Sequence, residues 1–344
     1  MMPRMFLYLG LVLVMLTFMP AVAVHSQDLT REQLQMLAPN EQDLQGFVRV
    51  LPGHDTPSLL RNDDTGATPQ ALAQPIKEII SLRNDPAGST PWFSSFSEAA
   101  SVGAIKRLFQ SADGTFDLDI EMVLCDSPEA AHEQLSHLHW TAGMWKPGRW
   151  TGPEMIGDES LALVENGRIR TLAFRYGSLL AVIEGDRSNR SFMFNRALTI
   201  QTMPPAAVEA IAYQIVLRAS QQAKLTGGPA QNTRLAVNGH ALPKNALLVG
   251  KQVYVPVREF AKAVGLTSGW NAKTGTLTLS GPHRKPVALT AGSTAATVGG
   301  AKAAALAVPV LKDGGQPVMA LDDLLRLTGG RVTGQTGNTV NVKG

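Results

Sequence analysis

The chain has 344 residues, with 31 Lys and Arg against 28 Asp and Glu, a net charge of +3. So even a balance excludes nucleic acid or an anionic membrane as the main partner, and an apolar content of 44% excludes wholesale disorder. A single cysteine, Cys125, leaves no intramolecular disulfide, so stability has to come from burial.

Arg4 is the only charge of a short basic leader, and Met5 to Met19 form an apolar run of 15 residues. Pro20 breaks the run, and Ala21-Val22-Ala23 has the small-x-small pattern of a processing site, so residues 1–23 read as a cleavable secretory signal. The alternative, an uncleaved anchor, is disfavoured because spanning a bilayer takes roughly 20 apolar residues. No cysteine ends the run, so no lipidated N-terminus is expected. The expected localisation is extracytoplasmic: periplasmic, wall-associated or secreted, with no membrane span after cleavage.

Residues 28–37 predict a short helix with Thr30 as N-cap and Leu34 and Leu37 on one face, stopped by Pro39. Phe47–Leu51 predicts a first strand. The stretch 52–91 is rich in Pro, Asp, Asn, Gly and Thr and reads as a long mobile loop with one weak helical patch at Ile76–Leu82. Val102–Gln110 and Thr115–Leu124 flank Asp113-Gly114, a hairpin signal. In the second arm Phe116, Leu118, Ile120 and Met122 alternate with Asp117, Asp119 and Glu121, giving one apolar and one acidic face. Pro128 opens a helix to Leu138, and a Gly/Trp/Pro-rich loop follows. Leu161–Glu165, Ile169–Tyr176 and Leu179–Glu184 predict three strands joined at Asn166-Gly167 and Gly177-Ser178. A last helix runs from Pro204-Pro205 to about Gln222, burying Val208, Ile211, Ala212, Ile215 and Ala219.

Beyond a linker at 223–232 the composition shifts to Ala, Gly, Val and Thr, and the text repeats. Asn238-Gly239 precedes Tyr254–Gly265 much as Gly299-Gly300 precedes Val318–Gly329; each copy closes with a strand, Thr276–Leu279 or Thr339–Val342. The organisation predicted is a signal (1–23), an N-terminal segment (24–35), an α+β domain (36–222), the linker and a small α+β tandem-repeat domain (233–344). The first of these domains should be an antiparallel sheet with helices on one face.

Val237-Asn238-Gly239, Tyr254-Val255-Pro256-Val257-Arg258, Phe260 to Gly265, Trp270-Asn271, Thr274 and Thr276–Leu279 occur in an order that resembles the copper amine oxidase N-terminal-like domain, or stalk domain, of bacterial exported proteins. In the second copy Met319-Ala320-Leu321-Asp322 replaces Val-Pro-x-Arg, and Gly334 stands where a tryptophan is expected. The resemblance covers 233–344 and implies envelope placement and binding or spacing. Copper and quinone sit elsewhere in such proteins, so it implies no cofactor. Tyr254, Pro256, Arg258, Gly265 and Trp270 are structural residues of that motif, with Arg258 bonding near the helix start and Trp270 covering a small core.

Several constellations invite chemistry. His132-Glu133-Gln134-Leu135-Ser136-His137 places its histidines at i and i+5, where two zinc ligands on a helix require i and i+4. His139 is two turns from His132, and solvated histidines are the simpler reading. Asp117, Asp119 and Glu121 could meet a cation or a basic partner, or form the solvated face of a sheet. Trp140, Trp145 and Trp150 could form a platform for a sugar or peptide, or plug a loop into the core. Arg187, Arg190 and Arg196, interleaved with Phe192 and Phe194, could face an anionic polymer or decorate a solvated hairpin tip. Cys125 reads as a small buried residue. No catalytic set and no metal site is expected. The sequence points to an exported, envelope-associated, non-enzymatic protein: a sensor-like or ligand-binding α+β domain on a stalk-like domain, its partner a cell-wall polymer or another envelope protein. An exported wall hydrolase with its catalytic domain within 36–225, and a carrier of a small apolar molecule, are the alternatives.

Overall fold

The computed structural model describes residues 29–47, 49–50, 68–69, 77–82, 101–110, 116–145, 149–151, 156–165, 168–187, 205–228, 232–249, 252–303 and 305–344. The proposed leader, Arg190, Phe192, Phe194 and Arg196 lie outside them. Among the described residues, no helix is long and apolar enough to cross a membrane.

Two reciprocal capping boxes start the chain. Thr30 and Gln33 cap helix α1 (Arg31–Leu37), and Asn40 and Asp43 cap α2 (Glu41–Leu44). Their apolar residues Leu34, Leu37 and Leu44 are buried. A short ladder pairs β1 (Arg49–Val50) with β2 (Thr68–Pro69).

The first large sheet is antiparallel and seven-stranded. Its strands are β3 (Lys77–Leu82), β4 (Ser101–Gln110), β5 (Phe116–Cys125), β6 (Arg149–Thr151), β7 (Glu159–Glu165), β8 (Arg168–Tyr176) and β9 (Leu179–Arg187), in the spatial order β3-β4-β5-β9-β8-β7-β6. The described part of the patch expected to be helical, Lys77–Leu82, is therefore a strand. Its run of Ile79, Ile80 and Leu82 fits either period, and pairing with β4 decides the matter. Helix α3 (Pro128–Trp145) runs seven residues beyond the predicted end at Leu138, so Trp140 and Trp145 are helical and Trp150 lies on β6, where a loop was expected. Gly143 within α3 is only a weak helix breaker.

The two faces of this sheet differ. Leu118, Ile120, Met122 and Leu124 of β5, with Leu179, Ala181 and Ile183 of β9, join α1, α2 and helix α4 (Pro205–Gln221) in the main core. The one-sided arrangement of helices holds for these three. Helix α3 lies on the other face, where Ala131 and Leu135 cover Ala104, Val123, Cys125, Ala173 and Leu180. Cys125 is a buried thiol at the end of β5.

After α4 the expected linker opens with a helical turn, α5 (Ala223–Thr226), whose last carbonyl accepts the Ser178 amide at 2.7 Å. Next come β10 (Asn232–Val237), β11 (His240–Ala241), β12 (Ala246–Val249), β13 (Gln252–Pro256), α6 (Val257–Ala263), β14 (Thr267–Asn271), β15 (Thr276–Gly281) and β16 (Arg284–Thr290). The last elements are β17 (Ala296–Val298), β18 (Ala301–Lys302), β19 (Leu311–Asp313), β20 (Gln316–Ala320), α7 (Leu321–Thr328), β21 (Arg331–Thr336) and β22 (Thr339–Lys343). They build an eight-stranded sheet, β19-β20-β13-β12-β10-β22-β21 with β11 on β10, and a five-stranded sheet, β14-β15-β16-β17-β18. Helices α6 and α7 are followed by left-handed glycines, Gly265 (φ 75°) and Gly329 (φ 70°). The protein is of the α+β class.

A second core lies under α6 and α7, around Phe260, Leu277, Met319 and Leu324. The main core does not stop at the end of α4. It continues through Val249, Tyr254, Ala291, Leu311, Val318 and Ala320 of the carboxy-terminal sheets, so most of α4 is buried between the two units, with a half-buried stripe at Glu209, Tyr213 and Ser220.

Candidate functional site

The odd-numbered residues of β5 share a face with Lys106 of β4, Val182 and Glu184 of β9, and Thr171 of β8. Register sets this arrangement: Lys106 stands opposite Glu121, Asp119 opposite Glu184, and Glu184 opposite Thr171. Helix α3 covers the Cys125 end of this face. Toward the Asp117 end the sheet instead carries a cluster of charge. Lys106 Nζ lies 2.7 Å from Asp119 Oδ2 and 3.5 Å from Glu121 Oε2. Thr171 Oγ1 donates to Glu184 Oε1 at 2.9 Å, and Gln110 Nε2 donates to Asp117 Oδ1 at 3.0 Å.

The solvated acidic face expected from the alternation is thus half-buried here. The Glu121 side chain is only 12% exposed, and its Oε1 has no hydrogen-bond partner among the described residues. Burial pushes its pKa up to about 7; Lys106 opposes the rise, while Asp119 and Glu184 add to it. Burial also works against the Lys106 ammonium, but the facing carboxylates outweigh it and raise its pKa. The two shifts conflict if Lys106 and Glu121 are taken as a simple ion pair. The distances resolve the conflict, because the short contact to Asp119 keeps the lysine charged and Glu121 is left to hold the proton. Lys106, Thr171 and Glu184 are far from β5 in sequence or scattered along apolar strands. Their only signal is a polar side chain interrupting an apolar alternation.

His132 does not join this cluster. Its Nδ1 lies 2.7 Å from Glu159 Oε2, and Glu159 Oε1 accepts from Arg175 Nη2 at 2.7 Å. Arg175 and His132 hold the Glu159 carboxyl below the usual range. This chain of contacts is surface chemistry, for the His132 side chain is 54% exposed. The side chains of His139, Trp140, Trp145, Trp150 and Arg187 lie outside the described residues. Among the described residues no group of three or more His, Cys, Asp and Glu could hold a metal ion.

The carboxy-terminal motif residues separate into core and rim. Tyr254 is fully buried and donates from its hydroxyl to the Pro309 carbonyl at 3.1 Å. Pro256 is the N-cap of α6. The indole of Trp270 donates to the Gly315 carbonyl at 2.9 Å and packs at the edge of both cores. Arg258, expected to bond near the helix start, is exposed and lines a small pocket of about 80 Å³ with Lys244, Glu259, Asp313 and Gln316. Position 323, the acidic counterpart of Glu259, is used differently. Asp323 is buried and accepts the Ala307 amide at 2.9 Å and the Val308 amide at 3.3 Å, pinning the strand approach to β19.

Residues 236–342 match the copper amine oxidase N-terminal domain family. The matched span begins in β10 and ends in β22, so it takes in the parallel β10–β22 pair that closes the carboxy-terminal unit. It corresponds to the span in which the sequence motif was read. No curated protein and no solved structure matches the chain.

Proposed function

We propose that this is an exported, envelope-associated, non-enzymatic protein in which the seven-stranded unit is a sensor-like or ligand-binding module and the carboxy-terminal unit is a stalk-like duplication. The observation that carries this reading is the family match over 236–342, together with the residue order of the first 23 positions. The duplication is supported by the pairing of β13 with β20. Tyr254 meets Ala320, Val255 meets Met319 and Pro256 meets Val318, the register expected of two equivalent strands related by a local two-fold axis through Val255 and Met319. Each strand leads straight into a helix and then a hairpin, α6-β14-β15 and α7-β21-β22.

An exported hydrolase is the second reading, favoured only by the raised pKa of Glu121 beside Lys106. A general acid must reach its substrate, and a carboxyl only 12% exposed beneath a lysine and a second carboxylate is badly placed for that. The binding reading is preferred. Its test is co-sedimentation of residues 24–344 with purified cell wall. Retention above that of a size-matched control is expected, and retention equal to the control refutes wall association.

A further inference from the structure

Three cations from three different parts of the fold grip one short stretch of backbone. Arg107, on β4, donates from Nη1 to the carbonyls of Ala38 and Pro39, both at 2.9 Å. Arg218, on α4, donates to the Met36 carbonyl at 2.9 Å and pairs with Asp43. Lys312, on β19, donates from Nζ to the carbonyls of Gln42 at 2.9 Å and Gln45 at 2.5 Å. The Lys312 ammonium also stands 5.7 Å from the centre of the Phe47 ring.

The apolar anchors of the same stretch divide between the two units. Helix α1 packs on α4, β4 and β3. Phe47, fully buried, lies against Gly292, where a Cβ would come within 2.7 Å of the Phe47 Cα. Gln214 of α4 seals the joint by bonding both ways with the Lys312 backbone, at 2.7 and 3.0 Å. Burial lowers the Lys312 pKa to about 8, with Asp43 opposing the fall, so the ammonium is still charged at neutral pH. A charge this deep is stable only because its donors are used.

We propose that residues 29–47 form a strap, a separately releasable element that fastens the seven-stranded unit to the carboxy-terminal unit, with Lys312 as the contact that holds its far end. Cations on carbonyls, in place of a continuous sheet ladder, make the strap a discrete element: each grip can be undone without unpairing a strand. The consequence is a second fastening across a joint that α4 and the shared core already make, one that can open while that core stays intact. The inference rests on the strap's contacts alone and holds whether or not the protein sits in the envelope.

Hydrogen exchange on the full chain tests it. In Lys312→Met, which keeps the side-chain length and removes the charge, amides of 40–47 should exchange at least tenfold faster, while β5, β9 and β13 keep their protection. Unchanged exchange at 40–47, or an equal loss of protection throughout both units, overturns the strap as a separable element. Should K312M not fold, Arg218→Gln loosens the strap from the α4 side and is read at residues 31–45 by the same two criteria.

Discussion

Replacing Glu121 by Gln should change how stability depends on pH, and the size of the change follows from the site. In the unfolded chain a glutamate titrates near 4.5; in the folded protein burial moves Glu121 to about 7. The folded state therefore binds the proton more tightly. Between these two values the native protein holds a proton that the unfolded chain releases, so stability falls as pH rises through the window. Below pH 4.5 both states are protonated and the group costs nothing; above 7 the whole penalty is present. Each pH unit of that window is worth about 1.4 kcal/mol, so the penalty is on the order of 3 kcal/mol.

Glutamine is never charged, so it escapes this cost, and at pH 8.5 E121Q should be more stable than the parent protein. The gain should be about 1–3 kcal/mol, since the variant forfeits whatever Glu121 contributes to Lys106 while Asp119 keeps its 2.7 Å contact. Urea denaturation of both proteins at half-unit steps from pH 4.5 to 8.5 measures it, and titrating groups that are not coupled to Glu121 cancel in the difference. A stability difference that stays flat across that range refutes the assignment of the proton to Glu121.

Two further perturbations probe how the cores are pinned. Asp323→Ala should leave the Ala307 amide and the buried Val308 amide without their acceptor, a loss of about 2–4 kcal/mol in urea denaturation, with faster exchange confined at first to 305–310; Asp323→Asn, which retains one acceptor oxygen, should fall between. Gly177→Ala should cost more than about 2 kcal/mol, because Gly177 has φ 58° and a Cβ there would stand 2.1 Å from the Thr226 carbonyl oxygen. A thermal midpoint for G177A equal to that of the parent protein would contradict the close docking of the β8–β9 turn on α5.

What could be read from the sequence is what local chemistry specifies. Thr30 as an N-cap and the alternation through Phe116–Met122 each act within a few residues, and the element each predicts is present. The acidic strand face was legible as a face, but its state was not. Whether Asp119 and Glu121 are solvated depends on Lys106 across one neighbouring strand and Glu184 across the other, and pairing partners are not encoded locally. The same holds for Arg107, Arg218 and Lys312. A basic residue in an apolar stretch reads as a surface position, and only the folded chain shows that each one ends on backbone carbonyls of residues 36–45. The patch expected to be helical at Ile76–Leu82 contains the strand Lys77–Leu82 for the opposite reason, since so short a run does not separate a period of 2 from one of 3.6.

Helix α4 carries the point further, because its sequence held a signal broader than a single apolar face. Val208, Ile211, Ala212, Ile215 and Ala219 account for one side, but Ala207, Ala210, Val216 and Leu217 are buried as well. A helix with apolar residues on more than one face cannot be satisfied by one sheet; it requires a second surface to cover the remainder. In this chain the second surface is supplied by β12, β13, β19 and β20, through Val249, Tyr254, Leu311 and Val318. The same stretch that completes the seven-stranded unit is thus a core element of the carboxy-terminal unit. Cutting the chain after α4 would strip apolar surface from both sides of the cut, so neither half is equivalent to the unit it forms in the whole protein. That shared helix is what the strap at 29–47 closes over.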